Sequence, residues 1–212
     1  MNVELIHAMG DDLTIVNTAV VAERRRKQHF QHSDNSFIRQ LMLTGELEPF
    51  EHPQLQFHIT APIEASHRLR KHSSDTKWSE IGQSQSSIKH LDQQVTFYTP
   101  TRERWREKST DDGVQIAEDT MDKVLDLYER SRQLYQHLVE LKHLPPEEAA
   151  LVLPRSTYTE WAWTASLLQF SKICQTYNHK ETNVELKEIT KQMSDLISKR
   201  FPISWKYLLG AY

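Results

Sequence analysis

Four potential cations, Arg68, Arg70, Lys71 and His72, fall within five residues of the string RLRKH. The segment that follows, SSDTKWSEIGQSQ, is dominated by hydroxyl, amide and carboxylate side chains, with one Trp and one Gly. Clustered cations beside many hydrogen-bonding groups can hold an anion, because charge-assisted hydrogen bonds are the strong ones. The competing reading is a solvated loop. A second basic run, RRRK at 24–27, reads first as a solvated face, with a phosphate or partner contact as its alternative. His29, His32, His52 and His58 match no recognised ligand motif and read as surface or core histidines rather than metal ligands. Trp161 and Trp163 read as packing at a helix start, with stacking on a ligand as the alternative.

The elements that must position these groups are bounded by composition. A chain of 212 residues fits one domain, 1–212, with a substantial core. Net charge is −3, so general attraction to nucleic acid does not organise this protein, and any anion must be held by local cations. Its single cysteine, Cys174, excludes an internal disulfide and a multi-cysteine zinc cage. No apolar run is long enough to cross a bilayer, and MNVELIHAMG lacks the build of a secretion signal, which predicts a cytoplasmic protein.

VELIHAM predicts an opening strand, and Asp11 or Asp12 then caps a helix over 13–23 that turns Leu13, Val16, Val20 and Val21 inward. The stretch from Arg24 reads as a loop or ragged helix end; Ser36 starts a short helix, with Gly45 as its left-handed stop. QLQFHIT alternates as a strand should. Pro62 suits the first turn of a helix over 62–72, which delivers the basic cluster and runs into a loop. QQVTFYTP predicts another strand, and 114–141 a long amphipathic helix. A turn and short helix bounded by Pro145, Pro146 and Pro154 follow, then helices over 161–174 and from Val184 to the stop at Pro202. The class is α+β, with a sheet mainly from the N-terminal half and a helical C-terminal half.

VELIHAMGDDLTIV, LMLTGELEPFEH, LQFHITAPI, FYTP, LVLPRSTYTEWAWT and WKYLLGAY, in this order and spacing, resemble the flavin-dependent thymidylate synthases over nearly the whole chain. The resemblance implies that family's fold, with a central, mainly antiparallel sheet. It also implies FAD as cofactor, a homotetramer with active sites built from several subunits, and one-carbon transfer from methylenetetrahydrofolate to C5 of deoxyuridylate, with NADPH reducing the flavin. No cysteine nucleophile is used, and Cys174 reads as a buried structural thiol.

The basic cluster falls on the family signature, RHRxxSxNExSxRY. Lys71 and His72 match its first Arg and His, Ser73 replaces its second Arg, and Thr76 replaces its Ser. Without a gap, Trp78 and Ser79 take the Asn–Glu pair, Ile81 the next Ser, Gln83 the Arg and Ser84 the Tyr; a slide of one residue puts Ser79 and Glu80 on that pair instead. Further on, Glu160 stands where the family has a phosphate-binding Arg, Ser166 and Leu168 stand on an Asn and an Arg, and Tyr177 replaces an Arg that contacts the pyrimidine. Ala22 replaces a serine near the flavin.

By this resemblance Glu51, Lys71 and His72 are the cofactor-binding candidates, Glu51 near the adenosine and the other two near the phosphates of FAD. Arg68, on the family's Gln, joins Thr76, Glu80, Gln83, Lys172 and Tyr177 as substrate-binding candidates, with Arg68, Arg155 or Lys172 offsetting the missing charge. A carboxylate in place of a guanidinium repels an anion by about 1 kcal/mol at 4 Å even in bulk water. Deoxyuridylate is therefore expected to be held differently, or replaced by a variant such as deoxycytidylate, with methyl or hydroxymethyl as the group installed. A non-catalytic relative in a homo- or hetero-oligomer is the alternative. A nucleic-acid module using the two basic runs is disfavoured by the acidic balance.

Overall fold

The computed structural model describes residues 1–24, 26–72, 74–80, 95–101, 113–178 and 183–210, with the side chains of 113–119 left aside. The chain divides into two compact units, one of Met1–Thr60, His67–Glu80 and Glu160–Tyr212, the other of Ala61–Ser66 and Ile81–Thr159.

A four-stranded sheet has the order β1-β2-β4-β3, formed by Asn2–Met9 (β1), Gln54–Pro62 (β2), Lys77–Glu80 (β3) and Tyr158–Ser166 (β4). β1 runs antiparallel to β2 with an irregularity between Leu5 and His7, and β3 runs antiparallel to β4. On β2, Leu55, Phe57 and Ile59 are buried and the residues between them are half-buried, as its alternation predicts. The sheet therefore takes a central strand from the C-terminal half.

In the first unit, α1 (Asp12–Ala19) and α2 (His32–Thr44) connect β1 to β2. α1 is capped by Asp11, whose carboxylate accepts from Thr14 N at 3.0 Å while the Thr14 hydroxyl accepts from Asp11 N at 3.1 Å. Asp12 has a different task. Its buried carboxylate accepts from the backbone N–H groups of Ile203 and Ser204 at 3.0 and 2.9 Å, satisfying donors that the first turn of another helix leaves over. Core residues of α1 are Ile15 and Val16, while Val21, expected inward, is exposed beyond the helix end.

α2 begins four residues before the expected Ser36, because Asp34 accepts from Gln31 N at 2.8 Å and fixes the entry there. Gly45 ends α2 at φ 77, a conformation that carries no Cβ penalty in glycine. α3 (Ile63–Arg70) follows β2 directly, Pro62 being the last strand residue rather than the first helical one.

The expected helix over 161–174 is a correction. Residues up to Ser166 are strand β4, with Trp161, Trp163 and Ala165 buried and Glu160, Ala162 and Thr164 between them half-buried. The two-residue spacing of the tryptophans is strand periodicity, and an inner strand overrides helix propensity. Ser166 then caps α6 (Leu167–Tyr177), accepting from Gln169 N at 3.1 Å. α7 (Val184–Arg200) packs on β1 and α6, burying Ile189, Met193 and Ile197 but leaving Val184 exposed at its first turn. Pro202 ends α7 and opens a further helix, α8 (Pro202–Leu208), the one that Asp12 caps.

In the second unit, α4 (Gly113–Glu140) matches its periodicity, with Met121, Ser131 and Tyr135 buried. Its core joins Val95, Tyr135, Ala149 and Ala150, the alanines lying on α5 (Pro146–Ala149) and the 3-10 turn after it. The strand expected at QQVTFYTP is, among the described residues, an isolated bridge between Phe97 and Thr157.

Candidate functional site

α3 carries the basic cluster only in part. Arg68 and Arg70 lie in its last turn, where cations complement the helix dipole, and Lys71 and His72 follow in the turn after it. Within the segment expected to loop away, Lys77–Glu80 instead forms β3, because Trp78 packs opposite Trp163 and stacks on Trp161 at 5.0 Å with planes 17° apart. Three large rings gain more by burial than a loop would by solvation.

This arrangement occupies many of the candidate groups. Tyr177, buried on α6, donates its hydroxyl to the Arg68 carbonyl at 3.3 Å and meets the His72 ring edge-on at 5.2 Å. Burial pushes the Tyr177 phenol up, opposed by the charge of Arg68. Thr76 accepts from the Trp163 indole at 2.9 Å, and Arg70 lies 3.8 Å from Glu80. Arg68, Lys71, His72, Thr76, Glu80 and Tyr177 thus share one region of the first unit. Lys172 is exposed on α6, whose Gln169 donates to the Ser74 carbonyl at 3.3 Å. Gln83 lies outside the described residues.

The departures from the family pattern beyond the signature have local explanations. Glu160 faces His58 across β2 and β4 at 3.3 Å, a pair on the half-exposed side of the sheet. Leu168 is core, and Ser166 is spent on the α6 cap. Arg155 pairs with Glu64 within the second unit at 3.0 Å.

Glu51 stands apart. It lines a cavity of about 1190 Å³ to which, among the described residues, none of the other expected site residues contributes. Its described lining residues fall within 14–52, with Thr14, Asn17 and Thr18 from α1 and Glu46, Glu48 and His52 from the turn before β2. Arg24 and Arg26, from the run read as a solvated face, also line it.

Lys27, the last of that run, pairs instead with the buried Asp34, and the Asn17 amide clasps the Lys27 backbone, accepting from N at 2.8 Å and donating to O at 3.1 Å. The sequence offered one signal for this: an Asn on the helix that feeds directly into the basic run. Nothing in periodicity says which of four adjacent cations faces inward.

The family model described as Thymidylate synthase complementing protein matches residues 4–203. A flavin-dependent thymidylate synthase of Pseudothermotoga lettingae is 29% identical over 172 residues, covering 79% of this chain and 73% of the relative. One of Thermus thermophilus is 26% identical over 206 residues, covering 96% of this chain and 73% of the relative. A crystal structure of a UMP/dUMP methylase, PolB, from Streptomyces cacaoi bound with 5-Br dUMP superposes with a TM-score of 0.84 at 23% identity, covering 100% of this chain and 95% of that one. The last is a likeness of fold, and it accords with the α+β architecture above. The match to the family runs through both units and nearly end to end, and the chain belongs to the flavin-dependent thymidylate synthase family.

Proposed function

We propose that this protein binds FAD and transfers a one-carbon unit to C5 of a pyrimidine nucleotide. The observation that carries this reading is the cavity of about 1190 Å³ lined by Glu51, the residue matched to the adenosine end of the cofactor. The cavity residues fit that half of FAD. Carboxylate and threonine oxygens can accept from ribose hydroxyls and an adenine amine, and the cavity is large enough for a drug-sized group.

When bound, FAD supplies, with NADPH as reductant, the two electrons that turn the transferred carbon into a methyl group. Lys71 and His72 hold the phosphates of the cofactor, and Arg68 presents a cation at the edge of the pyrimidine. Thr76, Glu80, Gln83, Lys172 and Tyr177 orient the nucleotide. The carbon comes from methylenetetrahydrofolate, and a homotetramer completes the site.

The nucleotide is deoxyuridylate in an altered pose or a variant such as deoxycytidylate, since Glu160 and Leu168 cannot supply the guanidinium groups of the family pattern. The Streptomyces protein solved with 5-Br dUMP supports a pyrimidine mononucleotide as the ligand class. Transfer of hydroxymethyl rather than methyl is the variant outcome.

One observation favours a second reading. The stack of Trp78 on Trp161 fills the signature segment with packing, as in a relative that keeps the fold without the chemistry. Purified protein decides between them. Flavin absorbance, together with a rise in melting temperature on adding FAD and then deoxyuridylate or deoxycytidylate, supports the enzyme, because a ligand that binds only the native state stabilises it. A colourless preparation indifferent to both ligands overturns it.

A further inference from the structure

We infer that Arg24 and Arg26 form a phosphate-binding site that stands in for the signature's second Arg, replaced by Ser73, and that its ligand class is an adenosine diphosphate group. Among the described residues neither guanidinium has an ion-pair or hydrogen-bond partner, although both line the cavity that also contains Glu46, Glu48 and Glu51. Cations and carboxylates that share a cavity without pairing form a polarised surface. Net charge in such a cavity does not favour an anion by itself.

What it favours is a molecule with an anion at one end and hydrogen-bond donors at the other. A nucleoside diphosphate has this form: guanidiniums grip the pyrophosphate, and carboxylates accept from ribose hydroxyls and the exocyclic amine.

The segment carrying the arginines is held in place by the fold. Arg24 adopts φ 55, so its side chain leaves the 3-10 turn Val21–Glu23 in a direction that right-handed backbone would not give. Two residues beyond Arg24, Arg26 is followed at once by Lys27, whose backbone is clasped by Asn17 and whose ammonium pairs with buried Asp34. The basic run is therefore divided: Lys27 anchors the turn, and Arg24 and Arg26 are left to bind. At the signature, by contrast, the second Arg position is Ser73, and Lys71 and His72 take the two positions before it. The turn after α1 thus supplements the charge that Lys71 and His72 offer a pyrophosphate. The FAD assignment of this site rests on the function proposed above, whereas the recognition of a nucleoside diphosphate does not.

Calorimetric titration of the full-length protein with ADP, and separately with FAD, tests it in wild type and in R24N/R26Q. Asn tolerates the positive φ at Arg24, so the variant keeps the backbone. The double exchange should weaken ADP and FAD by roughly tenfold to hundredfold, as expected when hydrogen bonds to a charged group are removed, and flatten the salt dependence of ADP binding. Melting temperature should stay unchanged, and R24K/R26K should recover part of the affinity. Unchanged ADP affinity in R24N/R26Q overturns the inference, and so does a wild type that does not bind ADP. If ADP binds through the arginines while FAD does not bind, the nucleotide site stands and the flavoenzyme reading falls.

Discussion

Two regions of the first unit hold charged side chains in opposite ways. Around the signature segment, charge and polarity are consumed by the fold: Arg70 lies beside Glu80, Thr76 serves Trp163, His72 abuts Tyr177, and Glu160 is matched to His58. Around the cavity at residues 14–52, Arg24 and Arg26 line the wall beside Glu48 and Glu51 without ion pairs among the described residues. The first region uses polar groups to position buried rings; the second keeps them available to solvent or ligand. A divergent binding protein can thus keep one half of a site while the other is rebuilt as packing, because a side chain committed to a neighbour must break that contact before it binds anything else.

The contrast is broken most forcefully at Trp161, which is 0% exposed between strands β2 and β3. W161A should destabilise the protein by about 3–5 kcal/mol in denaturant unfolding. R24N/R26Q should change stability by less than about 0.5 kcal/mol. Comparable effects from the two variants would erase the distinction between a packed region and an open one.

Next in size is E160R. It restores a guanidinium at a half-exposed position and, among the described residues, gives up the His58 pair, so deoxyuridylate affinity should rise by about tenfold, about 1.4 kcal/mol. No gain in a titration would mean that the phosphate of the nucleotide does not pass this position.

Cys174 reports on the packed region from α6. Burial pushes its thiol from an ordinary value of 9.0 up to about 12. The raised value favours the protonated thiol in the native state, so stability is intact below pH 9.0 and is lost as pH climbs towards 12. The loss is at most about 1.4 kcal/mol per pH unit. C174A should flatten this alkaline slope, and wild type at pH 8 should resist thiol reagents until it unfolds. Rapid labelling of the native protein would place Cys174 at an opening surface instead.

The smallest effect belongs to Tyr177. Its hydroxyl makes a long bond of 3.3 Å to the Arg68 carbonyl, so Y177F should cost under about 1 kcal/mol. If the phenol orients a nucleotide, the same variant should weaken deoxyuridylate by several-fold in titration; unchanged affinity would assign Tyr177 to packing alone.

Elements governed by local rules were legible in the sequence. β1, β2, the long α4, the Gly45 stop and a cap at Asp11 or Asp12 all follow from periodicity and capping, which act over a few residues. Errors gathered where a distant partner decides. WAW at 161–163 became a strand because β2 and β3 flank it, and KWSE joined the sheet because Trp78 meets Trp161 and Trp163. Of two adjacent aspartates, Asp11 caps its own helix, while Asp12 caps one that begins at Pro202.

The sequence by itself determined the family, through an ordered series of short segments, and it exposed which signature cations were missing. Only the tertiary structure decided which surviving cations remain available to a ligand. That distinction between Lys27 and its neighbours Arg24 and Arg26 depends on Asp34 and Asn17, brought to the turn by two separate helices. Residue type fixes the charge a side chain carries, but a contact with another element fixes whether that charge is already spent.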